Sequence, residues 1–241
     1  MSSSWKDGWI PEVLAALATL TYSLLLNAVI PEPLHIPANM LAACGLIWLA
    51  LHTGATVADV GLERERMLEG ARLGVRVALP IVGAVLVAIA IPLARDVLVS
   101  EAAATASTAQ ALFEIFVRIP FGTVIPEELI FRGALMGLML RRHSPMRAAT
   151  YSSLLFGIWH VLPTLASLDA EASGVVSDSL LHQTGAILLT VLATGAIGFA
   201  FAWLRLRSRS VVAPIIAHLA FNATAVAGGR VARQVFDASG R

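Results

Sequence analysis

Two adjacent glutamates, Glu127 and Glu128, stand in the apolar stretch P-E-E-L-I-F-R-G, which also carries Arg132. Further on, His160 closes F-G-I-W-H, and His218 opens H-L-A-F-N, which ends at Asn222. Ionisable groups within a bilayer are costly and usually functional. Glu128 and Arg132 are four residues apart with the acid first, the better order for a helical ion pair. Phe156 and His160, like His218 and Asn222, share a helix face. Pro126 suits the first position of a helix, which would put both glutamates in a first turn favourable to carboxylate. Arg132 can hold one glutamate ionised and leave the other as a general base, with histidine beside it. Each residue has a blander reading alone: Glu127 a helix cap, Arg132 an ion-pair partner, His160 a core histidine beside Trp159, Asn222 interhelical glue, Phe156 packing. Depth argues for the set. Glu127 precedes Arg141 by 14 residues and His160 follows Arg147 by 13, so both lie roughly 20 Å from one arginine-flanked face. His218 follows Arg209 by 9 residues, or roughly 14 Å, a gap that helix tilt can close.

The elements that must position these groups are membrane helices. The 241 residues are 57% hydrophobic and 14% charged, with a mean hydropathy of +0.78. A soluble domain carries about 25% charged residues. Seven apolar stretches approach the ~20 residues a spanning helix needs: about 10–30, 36–53, 74–94, 120–140, 148–168, 184–204 and 211–228. The expected fold is an all-α polytopic bundle of seven spans, with an eighth, short or re-entrant segment as the alternative. The first stretch outruns a signal-peptide core and reads as a retained helix. Residues 1–241 read as one integral membrane domain. Residues 54–73 read as a cytoplasmic amphipathic connection, and 107–119 lead into the fourth span, where Pro120 and Pro126 are expected to break or kink the path. Glu114 and Arg118 are spaced to pair across one turn. Arginine-rich connections (Arg64, Arg66, Arg72; Arg141, Arg142, Arg147; Arg205, Arg207, Arg209) alternate with arginine-poor ones, which predicts a cytoplasmic N-terminus. The tail, with Arg230, Arg233 and Arg241, breaks that pattern. His35, His52, His143 and His182 read as surface or interfacial, and Asp169, Glu171 and Asp178 as a solvated loop. The lone Cys44 allows no intrachain disulfide, and no basic block suits nucleic acid.

At its polar residues the sequence resembles the CAAX-processing and bacteriocin-processing (CPBP) family of intramembrane proteases, which includes the type II CAAX prenyl endopeptidases. The family motifs E-E-x-x-x-R, F-x-x-x-H and H-x-x-x-N occur in order as Glu127-Glu128…Arg132, Phe156…His160 and His218…Asn222. The resemblance covers about residues 110–228, the expected catalytic core. It implies that Glu127 and His160 activate water, that His218 and Asn222 stabilise the oxyanion, and that Glu128 and Arg132 order the site, with Glu128 touching His218. The expected activity is hydrolysis of a peptide bond in a membrane-associated protein or peptide precursor. No cofactor is expected; zinc held by Glu127, Glu128, His160 and His218, all acceptable ligands, is the alternative, and the lack of an H-E-x-x-H excludes a zincin-type site. The Ala- and Arg-rich composition points to a bacterial cytoplasmic membrane, with the lipid bilayer and a membrane substrate as partners. A proton-coupled transporter and a non-catalytic membrane scaffold are the competing functions.

Overall fold

The computed structural model describes residues 8–91, 107–172 and 180–238. Arg95, Asp178 and Arg241, and the side chains of Asp169, Glu171, His182 and Arg233, lie outside what it describes. The described residues are helical with no strand, and seven helices are long and apolar enough to cross a membrane. They are α1 (Ile10–Ala28), α2 (His35–His52), α3 (Arg64–Ala90), α4 (Thr108–Leu140), a fifth span divided into α5 (Pro145–Trp159) and α6 (Val161–Ala172), then α7 (Leu180–Ser208) and α8 (Val212–Ala238). Leucines such as Leu41, Leu79, Leu189 and Leu192 are exposed, as expected of helices that face lipid rather than water.

Helix α4 is the hub. Residues 130–139 are buried without interruption, and they pack against α1, α2 and α5. The two prolines do not break it. The chain stays helical from Thr108 to Leu140, and Glu114–Val124 and Leu129–Leu135 are π-helical. A π-turn pairs a carbonyl with the fifth residue on rather than the fourth, so it can pass a proline that has no N–H to give. Pro126 cannot serve the Gly122 carbonyl, and the Asn39 side chain on α2 donates to it instead at 2.6 Å. No helix starts at Pro126, so the glutamates sit in mid-helix and a helix-terminal dipole does not act on them.

The fifth span does break, and it does so at a motif residue. Pro163 has no N–H for the Trp159 carbonyl, and His160 falls in the turn between α5 and α6. Thr164 repairs the break by donating to the His160 carbonyl through both its backbone N–H (3.1 Å) and its hydroxyl (2.7 Å).

The stretch 54–73 is two structures. Residues 54–63 form turns, and from Arg64 the chain is already α3. Arginines tie the turns to the bundle: Arg205 donates to the carbonyls of Ala58 (3.1 Å) and Asp59 (2.7 Å), and Arg141 to that of Thr53 (3.0 Å). Glu12 meets Arg142 (3.8 Å) and His143 (3.1 Å). These contacts gather the arginine-rich connections and the start of α1 at one end of the bundle. Arg230 reaches the Ser107 carbonyl beside the start of α4, at the other end. Helices α3 and α8 pack closely through Gly70 and Gly74, where a Cβ would come within 2.9 Å of Ser210 and within 2.8 Å of Ile216. Small residues at this spacing let membrane helices approach.

Candidate active site

The motif residues form two groups on α4 and its neighbours. The inner group is Glu128, Arg132 and His218. Glu128 and Arg132 are fully buried and His218 is 5% exposed. One carboxylate oxygen, Glu128 Oε1, accepts from Arg132 Nη1 (3.0 Å) and from His218 Nδ1 (2.9 Å). Arg132 also donates through Nη2 to the Gly198 carbonyl on α7 (2.9 Å), and its guanidinium lies over the Phe156 ring at 4.3 Å. Position 198 has to be glycine for this approach, since a Cβ would fall 2.9 Å from both Arg132 Nη2 and Phe156. Phe201 stacks on the His218 ring with centroids 4.7 Å apart. An ion pair in so dry a place stands only if its charges are mutually satisfied, because removing one partner typically costs about 3–5 kcal/mol.

The outer group is Glu127, Trp159 and His160, and all three line a cavity of about 630 Å³. Glu127 Oε1 accepts from the Trp159 indole N–H at 3.3 Å, while its Oε2 is buried with no hydrogen-bond partner among the described residues. His160 donates through Nδ1 to the Phe156 carbonyl at 2.7 Å. That bond fixes the tautomer: a neutral ring keeps its proton on Nδ1 and leaves Nε2 as an acceptor. The cavity walls come from the turn after α1 (Glu32, Pro33, His35), from Asn39 on α2, and from Phe113, Arg118 and Thr123 on α4. Arg118 at this wall is paired with Glu114 at 3.0 Å.

Phe156 joins the two groups. It is 2% exposed and meets the rings of His160 (4.6 Å) and His218 (6.2 Å) edge-on while lying under Arg132. Asn222 is half-buried one turn beyond His218 on α8, and neither of the two lines the cavity. Sequence reasoning passes over Trp159, Asn39, Gly198 and Phe201. A tryptophan beside a motif histidine in an apolar span is a usable signal, because a buried indole N–H has to find an acceptor. For the other three no local signal exists, since their partners are 66 or more residues away or on another helix.

The zinc alternative would call on Glu127, Glu128, His160 and His218. No three His, Cys, Asp or Glu side chains group as metal ligands among the described residues. Glu128 Oε1 is engaged by Arg132 and His218 while its Oε2 has no partner among the described residues, and the Nδ1 bond of His160 leaves its Nε2 as an acceptor.

The chain is an all-α integral membrane protein with a glutamate and a histidine on one cavity and a second, ion-paired glutamate behind them. The family is more specific: residues 109–224 match the model for Rce1-like type II CAAX prenyl endopeptidases. The chain thus carries an Rce1-like domain, consistent with a CPBP family intramembrane protease. No curated protein and no solved structure matches the chain. The matched segment holds all seven motif residues and α4 to the middle of α8, while α1–α3 lie outside it.

Proposed function

We propose that the chain is an intramembrane endopeptidase in which Glu127 and His160 activate a water against a peptide carbonyl. One observation carries this reading: Glu127, whose Oε2 has no hydrogen-bond partner among the described residues, lines the same cavity as a histidine whose Nε2 is held as an acceptor. The water oxygen attacks the carbonyl carbon while one of its protons passes to Glu127. His160 Nε2 orients the water by accepting its other hydrogen. As the C–O bond forms, the carbonyl electrons move to oxygen; the Asn222 amide and His218 Nε2–H, which do not line the cavity in this structure, donate to that oxyanion once the bound substrate carbonyl is brought up to α8. Since His218 gives its Nδ1 hydrogen to Glu128, its ring carries a proton on Nε2 only as the imidazolium. The oxyanion role therefore needs Glu128 as counter-charge and Arg132 to hold that carboxylate. When the C–N bond breaks, Glu127 returns its proton to the leaving amine. Arg132 is a positioning residue in this scheme. No step is routed through a metal.

The cavity reaches the turn between α1 and α2, at the end opposite the arginine-rich connections. We place substrate entry there, and on the arginine rule that end is extracytoplasmic. The substrate class we favour is a membrane-associated protein or peptide precursor of a bacterial cytoplasmic membrane. The test is cleavage of membrane-embedded substrates by the reconstituted protein against its Glu127→Gln form, with new termini mapped by membrane proteomics. The amide preserves size and hydrogen bonding but cannot take a proton from water. Equal cleavage by both proteins would overturn the mechanism.

A further inference from the structure

A second cavity lies at the arginine-rich end, far from the motifs in the fold. It measures about 320 Å³ and is lined by Glu69, Arg72, Leu73 and Arg76 on α3 and by Arg207 on α7. Arg72 and Arg76 are one turn apart on the same face of α3, and Arg207 comes from a different span. Glu69 is engaged by Arg66 at 3.0 Å. None of the three cavity arginines has an ion-pair partner among the described residues. The arginine rule requires only that such charges face one side of the membrane. It does not require three guanidiniums from two helices to line one cavity; all three are exposed, and an anion held between them would relieve their mutual repulsion.

We propose that Arg72, Arg76 and Arg207 form a binding site for the phosphate of an anionic phospholipid headgroup. Guanidinium suits this ligand because its planar fork of donors matches phosphate oxygens. Basic pockets between membrane helices on the cytoplasmic side take such headgroups. The surroundings favour a lipid over a soluble phosphate. Leu79, 67% exposed, follows Arg76 on the same face of α3, one turn deeper into the membrane, where an acyl chain would run. Trp203, 51% exposed, stands one turn from Arg207 on α7, at the depth where tryptophan marks the headgroup layer. The lipid would bridge α3, outside the family-matched segment, to α7, within it.

The full-length protein in neutral detergent, titrated with phosphatidylglycerol, is expected to retain the lipid in native mass spectrometry and to melt at a higher temperature. Phosphatidylcholine is expected to do neither. The Arg72→Gln, Arg76→Gln, Arg207→Gln triple variant is expected to bind phosphatidylglycerol roughly a hundredfold more weakly, at the usual contribution of each arginine to an anionic lipid. An Arg64→Gln, Arg209→Gln control removes exposed arginines of the same face that do not line the cavity, and is expected to bind normally. Should the triple variant fail to fold, Arg72→Gln and Arg207→Gln singly are each expected to weaken binding, one from each helix. Equal loss in the control, or no retained phosphatidylglycerol in the native protein, overturns the site. Inorganic phosphate raising the melting temperature as much as the lipid does overturns the lipid assignment.

Discussion

Glu127 and Glu128 are neighbours in sequence, yet they occupy different chemical regions. Glu128 is fully buried, and one of its oxygens is shared by a guanidinium and an imidazole. Glu127 accepts from the Trp159 indole N–H, has no ion-pair partner among the described residues, and lines the cavity. Successive residues on a helix point about 100° apart, so the pair faces two helices at once: α8 behind and the α5–α6 break in front. The lesson is that partner groups, not residue type, separate a structural carboxylate from a reactive one. Both glutamates keep a buried Oε2 with no hydrogen-bond partner among the described residues; what separates them is that Glu128 is countered by Arg132 and His218 and holds the architecture, while Glu127 has no such ion pair and lines the cavity.

The sharpest way to break this comparison is to remove charge on each side of it. Glu127→Gln is expected to abolish cleavage, a general base being worth about 10²–10⁴-fold, while the melting temperature stays near that of the native protein. His160→Ala is expected to be as severe, and the double variant no worse, because the two act on one water. Arg132→Ala is expected to do the reverse. It strands Glu128 without its main counter-charge, at a cost of about 3–5 kcal/mol, so yield and melting temperature fall first. Parallel melting curves and cleavage assays check both. An Arg132→Ala protein that melts normally would remove the structural half of the comparison.

Much of this was legible in the sequence. Seven apolar stretches gave the spans, and the spacing of Glu128 and Arg132 gave their ion pair, because both signals are local and periodic. The spacing of Glu114 and Arg118 gave theirs in the same way. What local signals cannot carry is what comes from another helix. Pro126 reads as a helix start, yet α4 runs through it on π-turns while Asn39 of α2 serves the carbonyl it abandons. The charged residues after Arg64 read as an interfacial helix, yet they continue without a break into α3. Pro163 was the usable clue to the break at His160.

A smaller effect is expected on the oxyanion side. Asn222→Ala is expected to lower kcat by about 10²–10³-fold, as for one lost oxyanion donor, with KM little changed and the fold intact. Steady-state kinetics separate this from a binding defect. Smaller still is Trp159→Phe, which removes the one hydrogen bond that orients Glu127 but keeps the aromatic contact with Phe131 at 5.8 Å. A hydrogen bond to a charged group contributes about 1.5–3 kcal/mol, so a loss of roughly 10–100-fold in kcat is expected. An unchanged kcat would mean that Glu127 is held by something other than the indole.

The smallest expected effect is none, and it tests the comparison from outside the protein. Were Glu127, Glu128, His160 and His218 zinc ligands, the buried pair Glu128 and His218 would have to converge on one ion with Glu127 and His160, which line a cavity that the first two do not. Phe156 packs between the two histidine rings and would have to give way. Zinc would also erase the contrast between the two glutamates, because both would then carry the same task. Prolonged treatment with EDTA or phenanthroline is therefore expected to leave cleavage unchanged, with metal content followed by elemental analysis. Activity lost to the chelator and restored by zinc would merge the two regions into one metal centre. In that case Glu128→Gln would be expected to match Glu127→Gln in its effect on cleavage, rather than acting first on stability.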